Sequence, residues 1–517
     1  MDANLAAELQ RAGYESIETH ISRVFLRDAD VFKLKRAVSL GFLDYSTLEK
    51  RKEACEAEVI LNRRLAHDVY LGVVALVRDE RGALCFEPAD QVSSKVLDWA
   101  VHMRRLLERE RADVLLSRGR LHAFDVEQLA IRIAEFHRGA RSDEETARLG
   151  GYDALTQNVR ENFAQLASLE PHLERHEAAQ LQDYQLSFVE RERAMLERRA
   201  RAGFVRDGHG DLRLEHCYLV EGARFEIIDC IEFNQRFRFA DVCADLAFLT
   251  MDLRHQEQPV MADLLLAAYA RESRDYGLYG LLDFYESYRA TVRGKVTAML
   301  AQDGELPEPT KERARAEARR YLVQALTSAG RPLHTATAVV TFGLIASGKS
   351  TVARALFLRY GLAVLCADEI RKQLLGLAPT AERKEQPFVG VYGEQMTDRV
   401  YEEMFARAAQ VLASGRGVVF DASFRAKVHR ERVRQLAAQY GVEVLFVECE
   451  VDRETALARL AERAQQPHIS DGRAEIYDAF AENFEPTHDL PVDRHVRCST
   501  KGPVNAALER WIAPRLA

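Results

Sequence analysis

Residues 343–350 read Gly343-Leu344-Ile345-Ala346-Ser347-Gly348-Lys349-Ser350, a GxxxxGK[ST] phosphate-binding loop. The preceding run, Ala338-Val339-Val340-Thr341-Phe342, is apolar and β-branched as a buried parallel strand is, and Thr351 to Tyr360 is helix-like. Strand, loop and helix in that order give the motif its meaning. The glycines let successive backbone N–H groups turn inward around a phosphate, and the helix N-terminus adds its partial positive charge. Lys349 reaches the β/γ-phosphates and the Ser350 hydroxyl holds Mg²⁺. The nucleotide-binding set expected here is Gly343, Ser347, Gly348, Lys349, Ser350 and Thr351, for ATP or GTP.

Working outward, the chain of 517 residues exceeds a single hydrophobic core, and at about 100–200 residues per domain it holds two to four. Its 47% apolar and 29% charged residues are ordinary for a globular protein, and a net charge of −8 gives no overall pull toward nucleic acid or anionic membrane. Eight cysteines are dispersed with no CxxC pair, which predicts reduced thiols. The beginning of the chain lacks an apolar signal core, and no stretch approaches about 18 apolar residues, so a soluble cytoplasmic protein is expected.

A charged helical segment from Thr310 to Leu326 gives way to Thr327-Ser328-Ala329-Gly330-Arg331-Pro332 and then to the strand before the phosphate loop. Small residues and a proline mark a linker. The expected division is a first domain over 1–328, a linker over 329–337 and a second domain over 338–517. The first begins with strand-like stretches Ile21 to Arg27 and Val31 to Lys35 joined by Asp28-Ala29-Asp30. A helix from Leu48 to Leu65 follows, then a strand pair around Val69 to Val77 and Leu84 to Pro88. From Val126 the pattern is mostly helical, with short strands near Phe204 to Phe233. A β-rich lobe before a helical lobe is a bilobal plan.

Within the helical part stands His209-Gly210-Asp211-Leu212-Arg213-Leu214-Glu215-His216, and Asp229 follows the strand Phe225 to Ile228. This pattern resembles the aminoglycoside phosphotransferase branch of the protein-kinase-like fold, whose catalytic loop runs HGDxxxxN. The resemblance covers roughly residues 1–330 and implies an α+β bilobal kinase-like fold. It implies that Asp211 orients and deprotonates a substrate hydroxyl while Asp229 holds Mg²⁺. A strand lysine, Lys33 or Lys35 on the same strand face, should pair a phosphate; Lys33 is preferred. Its acidic partner is sought on the next helix at Glu58, with Glu53 and Glu56 as rivals. Where the family has a metal-binding Asn, this chain has His216. Imidazole suits Mg²⁺ poorly, so either His216 takes a modified metal-site role or one metal site is weak. Asp241 and Asp245 are candidates for bracing the catalytic loop, and helix capping accounts for Asp241 equally well.

Residues 338–517 resemble the small P-loop kinases that include shikimate, gluconate and polynucleotide kinases and zeta-type toxins, implying an α/β/α P-loop NTPase fold with a parallel sheet. In that group an aspartate after the second strand accepts the proton of the attacking hydroxyl, and an arginine three residues on grips the substrate. Asp368 and Arg371 stand at those places after the strand Ala363 to Cys366. A third strand, Gly417 to Asp421, ends in an acid, which makes Asp421 the expected Mg²⁺-shell residue. Strand Val444 to Cys449 continues the sheet. A helix with Arg459 and Arg463 on one face leads into a polar stretch from Gln465 to Gly472, an expected lid. Arg463, nearer that stretch, is the preferred catalytic arginine.

The resemblances imply an ATP-dependent kinase with Mg²⁺, acting on an unidentified hydroxyl-bearing small molecule, with two nucleotide sites. Two alternatives stand beside that reading. One is a polynucleotide 5′-hydroxyl kinase, for which Arg425, Lys427, Arg430, Arg432 and Arg434 supply a basic segment. The other is a P-loop kinase regulated by a non-catalytic N-terminal domain altered at His216.

Overall fold

The computed structural model describes residues 3–18, 21–40, 43–92, 94–221, 224–304, 306–329, 336–378, 380–381, 388–465 and 469–516. Internal packing divides the chain into two compact units, Met1–Glu257 with Phe284–Ala329, and Gln258–Asp283 with Gly330–Ala517. The passage between units near residue 330 coincides with the expected linker, of which residues 330–335 lie outside the described residues, as do 466–468 of the expected lid. Residues 258–283, assigned to the first domain by sequence order, pack instead with the second unit. Their helix Pro259–Ser273 buries Ala262, Leu264, Leu265, Leu266, Ala267, Ala268, Tyr269 and Ala270. An apolar pattern so continuous does not indicate which core receives it.

The first unit opens with a six-stranded antiparallel sheet of Glu15–Glu18 (β1), Ser22–Arg27 (β2), Asp30–Lys35 (β3), Tyr70–Arg78 (β4), Leu84–Pro88 (β5) and Asp98–Arg104 (β6). The strand order is β1-β2-β3-β6-β4-β5. The sequence does not announce β6: buried on both faces, it shows no alternation of apolar and polar residues. Helix Leu48–Asn62 (α1), capped by the Thr47 side chain, lies between β3 and β4 in sequence and buries Glu58 and Val59. After the helices that follow, hairpin Cys217–Val220 (β7) and Arg224–Ile227 (β8) leads to Asp229. Strand lobe and helical lobe, with the hairpin set among the helices of the latter, make up the bilobal protein-kinase-like fold.

The second unit is a five-stranded parallel sheet with helices on its faces. Its strands are Ala338–Phe342 (β9), Ala363–Cys366 (β10), Val418–Asp421 (β11), Val444–Glu450 (β12) and His495–Ser499 (β13), ordered β10-β11-β9-β12-β13. Every residue of β9 is buried, as a central strand of a sheet covered on both faces requires. Val339 pairs with Val419 on one side and Leu445 on the other. The core under the loop combines Val339, Val419, Leu445 and Val496 with Val352 and Leu356 of Lys349–Tyr360. Because β11 is the neighbour of β9, their carboxyl ends bring Asp421 beside the phosphate loop. This is the parallel P-loop NTPase sheet expected from residues 343–350.

Candidate functional site

The loop after β9 turns too tightly for side chains at two positions. Gly343 has φ 134° and a Cβ there would lie 2.5 Å from the Cys449 carbonyl oxygen; Gly348 has φ 89° and its Cβ would lie 2.7 Å from Thr500 Oγ1. From beneath, Thr500 Oγ1 donates to the Ser347 carbonyl at 2.7 Å. Arg459 of Arg453–Arg463 donates to the Ala346 carbonyl at 3.2 Å, to Thr500 Oγ1 at 3.1 Å and to the Thr500 carbonyl at 2.6 Å. The loop is thus braced by groups far away in sequence. Lys349, the first residue of helix Lys349–Tyr360, donates to the Leu344 carbonyl at 2.8 Å, and burial lowers its pKa.

A cleft of about 640 Å³ opens over the loop, bordered by Gly348, Lys349, Ser350, Thr351, Asp368, Arg371, Asp421 and Arg463 among others. Gly343 and Ser347 do not border it. Ser347 lies below, its Oγ buried and without a hydrogen-bond partner among the described residues. Asp421 accepts hydrogen bonds from the Ser350 hydroxyl and from Thr341 Oγ1 at 3.4 Å, and burial raises its pKa against the opposing effects of Ser350 and Lys349. Asp368 emerges from the first turn of helix Ala367–Leu374, where Arg371 Nη1 donates to its Oδ1 at 2.9 Å. The Arg371 guanidinium lies 5.0 Å from the Tyr392 ring centroid. Arg463 borders the cleft and burial lowers its pKa; among the described residues it has no hydrogen-bonded partner. Arg459 and Arg463 therefore differ in task although they share a helix face.

The donor set at the cleft fits Mg²⁺. Ser350 and Asp421 present hard oxygen atoms next to one another, and burial works against the Asp421 charge that a bound cation would favour. Among the described residues no group of three or more His, Cys, Asp or Glu side chains forms a metal cluster. Two protein oxygens suffice where phosphate and water complete the shell. Sequence reasoning placed Arg425 in a basic segment and not at this cleft, which it borders with its guanidinium 4.4 Å from the Phe388 ring centroid; it missed Thr500 altogether. It also missed Arg271, which borders the cleft. Nothing in their local sequence marks them, since each is brought in by tertiary structure.

In the first unit Lys33, Glu58, Asp211, His216 and Asp229 are brought together. Lys33 Nζ donates to Glu58 Oε1 at 2.9 Å and also to Asp229 Oδ1, while Lys35 Nζ pairs with Glu58 and with Glu232. Both lysines thus meet Glu58, and it is Lys33 that reaches Asp229. Glu56 instead faces Lys52 at 3.7 Å near the surface. Burial opposes the Lys33 charge, but Asp229 and Glu58 outweigh it and hold its pKa well above the usual lysine value. Asp229 sits in left-handed backbone at φ 69°, an uncommon conformation for a non-glycine residue and a frequent one at functional sites.

The loop before it is pinned by Asp245, which accepts the N–H groups of His209 at 2.6 Å and Gly210 at 2.8 Å. Asp241 instead caps helix Val242–His255 and holds Arg199 at 2.7 Å. Arg213 takes both Asp211 oxygens, at 3.1 and 3.2 Å. Burial works against the Asp211 charge, yet Arg213 and His216 keep its pKa well below the carboxylate range. His216 Nδ1 lies 2.8 Å from the Asp211 carbonyl oxygen and Nε2 3.9 Å from Asp229 Oδ2. The imidazole occupies the space between the two aspartates. Its nitrogen is a poor partner for Mg²⁺ there, so this donor set fits the ion only through Asp229.

A family model described as AAA domain matches residues 339–487. Over 491 residues the chain is 30% identical to "Uncharacterized protein Rv2004c" of Mycobacterium tuberculosis (strain ATCC 25618 / H37Rv), covering 94% of this chain and 92% of that one. The same figures hold for "Uncharacterized protein Mb2027c" of Mycobacterium bovis. The chain belongs to the family of these mycobacterial proteins. Both units are therefore shared with them rather than joined only here. Among solved structures, a choline/ethanolamine kinase family protein from Mesorhizobium loti is 13% identical, with 63% of this chain and 98% of that one covered and a TM-score of 0.35. A gluconokinase from Sinorhizobium meliloti 1021 is 19% identical, with 34% and 89% covered and a TM-score of 0.25. The fold assignments rest on the strand orders and loop geometry above. Among the described residues no helix is long and apolar enough to cross a membrane.

Proposed function

We propose that the chain is an ATP-dependent phosphotransferase that moves the γ-phosphoryl group to the hydroxyl of a small molecule, with its principal centre in the cleft of the second unit. One observation carries this reading: Lys349, Ser350, Asp421, Asp368, Arg371 and Arg463 border a single cleft at the carboxyl edge of a parallel sheet. The loop N–H groups and Lys349 bind the phosphates. Ser350 and Asp421 would hold Mg²⁺, which when bound neutralises phosphate charge. Asp368 accepts the proton of the attacking hydroxyl, Arg371 orients the acceptor, and Arg463 faces the transferred group.

A small acceptor is favoured over a polynucleotide because the basic segment after Asp421 does not present its five cations as one free surface. Arg430 is fully buried, donating to the Phe424 carbonyl at 2.9 Å and to Asp489 at 2.8 Å, while Arg434 pairs with Glu431 at 3.0 Å. Arg430 is thereby withdrawn from any phosphate backbone and Arg434 is part-neutralised, which breaks the run of positive charge. The test is a panel of hydroxyl-bearing metabolites and oligonucleotides incubated with radiolabelled ATP and the full chain. With the acceptor so found, Asp368→Asn should cut transfer by about 100-fold or more while ATP affinity stays near wild type. Collapse of ATP binding would instead make Asp368 a metal or structural residue.

For the first unit we propose a second phosphoryl-transfer centre, with Asp211 as base, Asp229 as metal-binding acid and Lys33, held by Glu58, on the phosphates. A regulatory reading is favoured by one observation, the engagement of both Asp211 oxygens by Arg213. Asp211→Ala separates the two. Catalysis requires that it abolish at least one product labelled by the full chain, whereas regulation leaves every product in place and changes only its rate.

A further inference from the structure

Helix Pro259–Ser273 belongs to the P-loop unit although it precedes the phosphate loop by most of a domain's length in sequence. In its last turn Arg271 Nε donates to Glu369 Oε2 at 3.0 Å and Nη2 donates to Glu369 Oε1, a two-point fork. Glu369 is the residue after Asp368, in the first turn of Ala367–Leu374, and Arg271 borders the same cleft as Asp368. A planar guanidinium on a carboxylate fixes direction as well as distance. The helix carrying the fork is itself held close. A Cβ at Gly361 would lie 2.8 Å from Asp263 Cβ and from the Val260 carbonyl oxygen. Arg416 Nε lies 3.6 Å from Asp263 Oδ1 on the same helix, and just beyond the helix Arg407 lies over Tyr276 at 5.4 Å.

We propose that Arg271 is a positioning residue for Asp368, acting through Glu369, so that the P-loop centre is completed by a segment that precedes the phosphate loop by about 70 residues in sequence. The proposal rests on the reading of Asp368 as proton acceptor. Displacing a reacting group by about 1 Å can cost on the order of 100-fold in rate, so the orientation of this one helical turn bears directly on turnover.

The experiment uses the full chain carrying Asp211→Asn, so that the first centre is silent, with ATP hydrolysis as the probe and water as acceptor. Arg271→Ala is expected to lower kcat about tenfold while KM for ATP stays within about twofold, because the fork acts on the base and not on the phosphate loop. Arg271→Lys, which keeps the charge and loses the fork, falls in between. In an Asp368→Asn background Arg271→Ala should cost nothing further, since its effect passes through the group already removed. Unchanged kcat in Arg271→Ala overturns the proposal. So does a further loss in the Asp368→Asn background, which would mean general structural damage. Lys349→Ala, measured alongside, keeps the underlying reading separate: if it hydrolyses ATP at the parent rate, the cleft is not the catalytic centre, whatever Arg271 does.

Discussion

His209 shows how much of the first site depends on one uncharged ring. It is fully buried; Nε2–H donates to the Ile228 carbonyl at 3.0 Å and Nδ1 accepts the Asp211 N–H at 3.3 Å, so the neutral tautomer satisfies both nitrogens. Burial pushes its pKa down to about 4. An unfolded histidine charges near pH 6.5, so between about pH 6.5 and 4 the unfolded chain binds the extra proton and stability rises with pH. The contribution is present above that window and is lost as pH falls through it. Asp211, Asp229 and Asp245, held below the usual carboxylate range, add their own losses at lower pH. Urea unfolding of wild type should therefore lose about 3 kcal/mol more than His209→Asn between pH 7 and pH 4. Parallel stability curves would show that the ring is not confined to its neutral form.

Single residues were also the most legible level. Lys349, Asp211, Asp229, Asp368 and Asp421 stand in short motifs or at strand ends, where chain order alone places them. Lys33 and Lys35 could not be separated that way, because strand alternation puts both on one face; the Lys33–Asp229 ion pair separates them. Glu232 and Arg271 had no local mark. Their partners lie on other elements and meet them only through the fold.

At the scale of elements, α-helices with strong periodicity and strands beside motifs agree with expectation to within a few residues. Helix Leu48–Asn62, strand Ala363–Cys366 and strand Val418–Asp421 are examples. Two misses have different reasons: Asp98–Arg104 lacks alternation, whereas His495–Ser499 alternates but is a five-residue edge strand with no flanking motif. The helix Arg453–Arg463 illustrates how one element serves two tasks. Arg463 borders the cleft, whereas Arg459 ties Ala346 and Thr500 together beneath the loop. Charge-assisted hydrogen bonds of this kind contribute about 1.5–3 kcal/mol each. Arg459→Ala should accordingly weaken ATP binding about tenfold or more by calorimetric titration, with the helix content unchanged. Affinity equal to wild type would mean that the loop holds its shape without the brace.

For the whole molecule, the two folds were legible and the allocation of residues 258–283 between them was not. The phosphate loop and the HGD segment each specify a local geometry, and the strands flanking them point to the architecture that supplies it. The allocation of 258–283 depends on which core accepts an apolar helix, and that is decided by packing shape rather than by pattern. The central claim is that the cleft over residues 343–350 is a phosphoryl-transfer centre. It is tested most directly by steady-state ATP turnover of the full chain carrying Asp211→Ala, with and without Lys349→Ala. With Lys349 on the phosphates in ground and transition states, as proposed, its loss should reduce kcat/KM by about 100-fold or more, a change of about 2.7 kcal/mol in transition-state stabilisation. Equal turnover with and without the lysine would contradict the account.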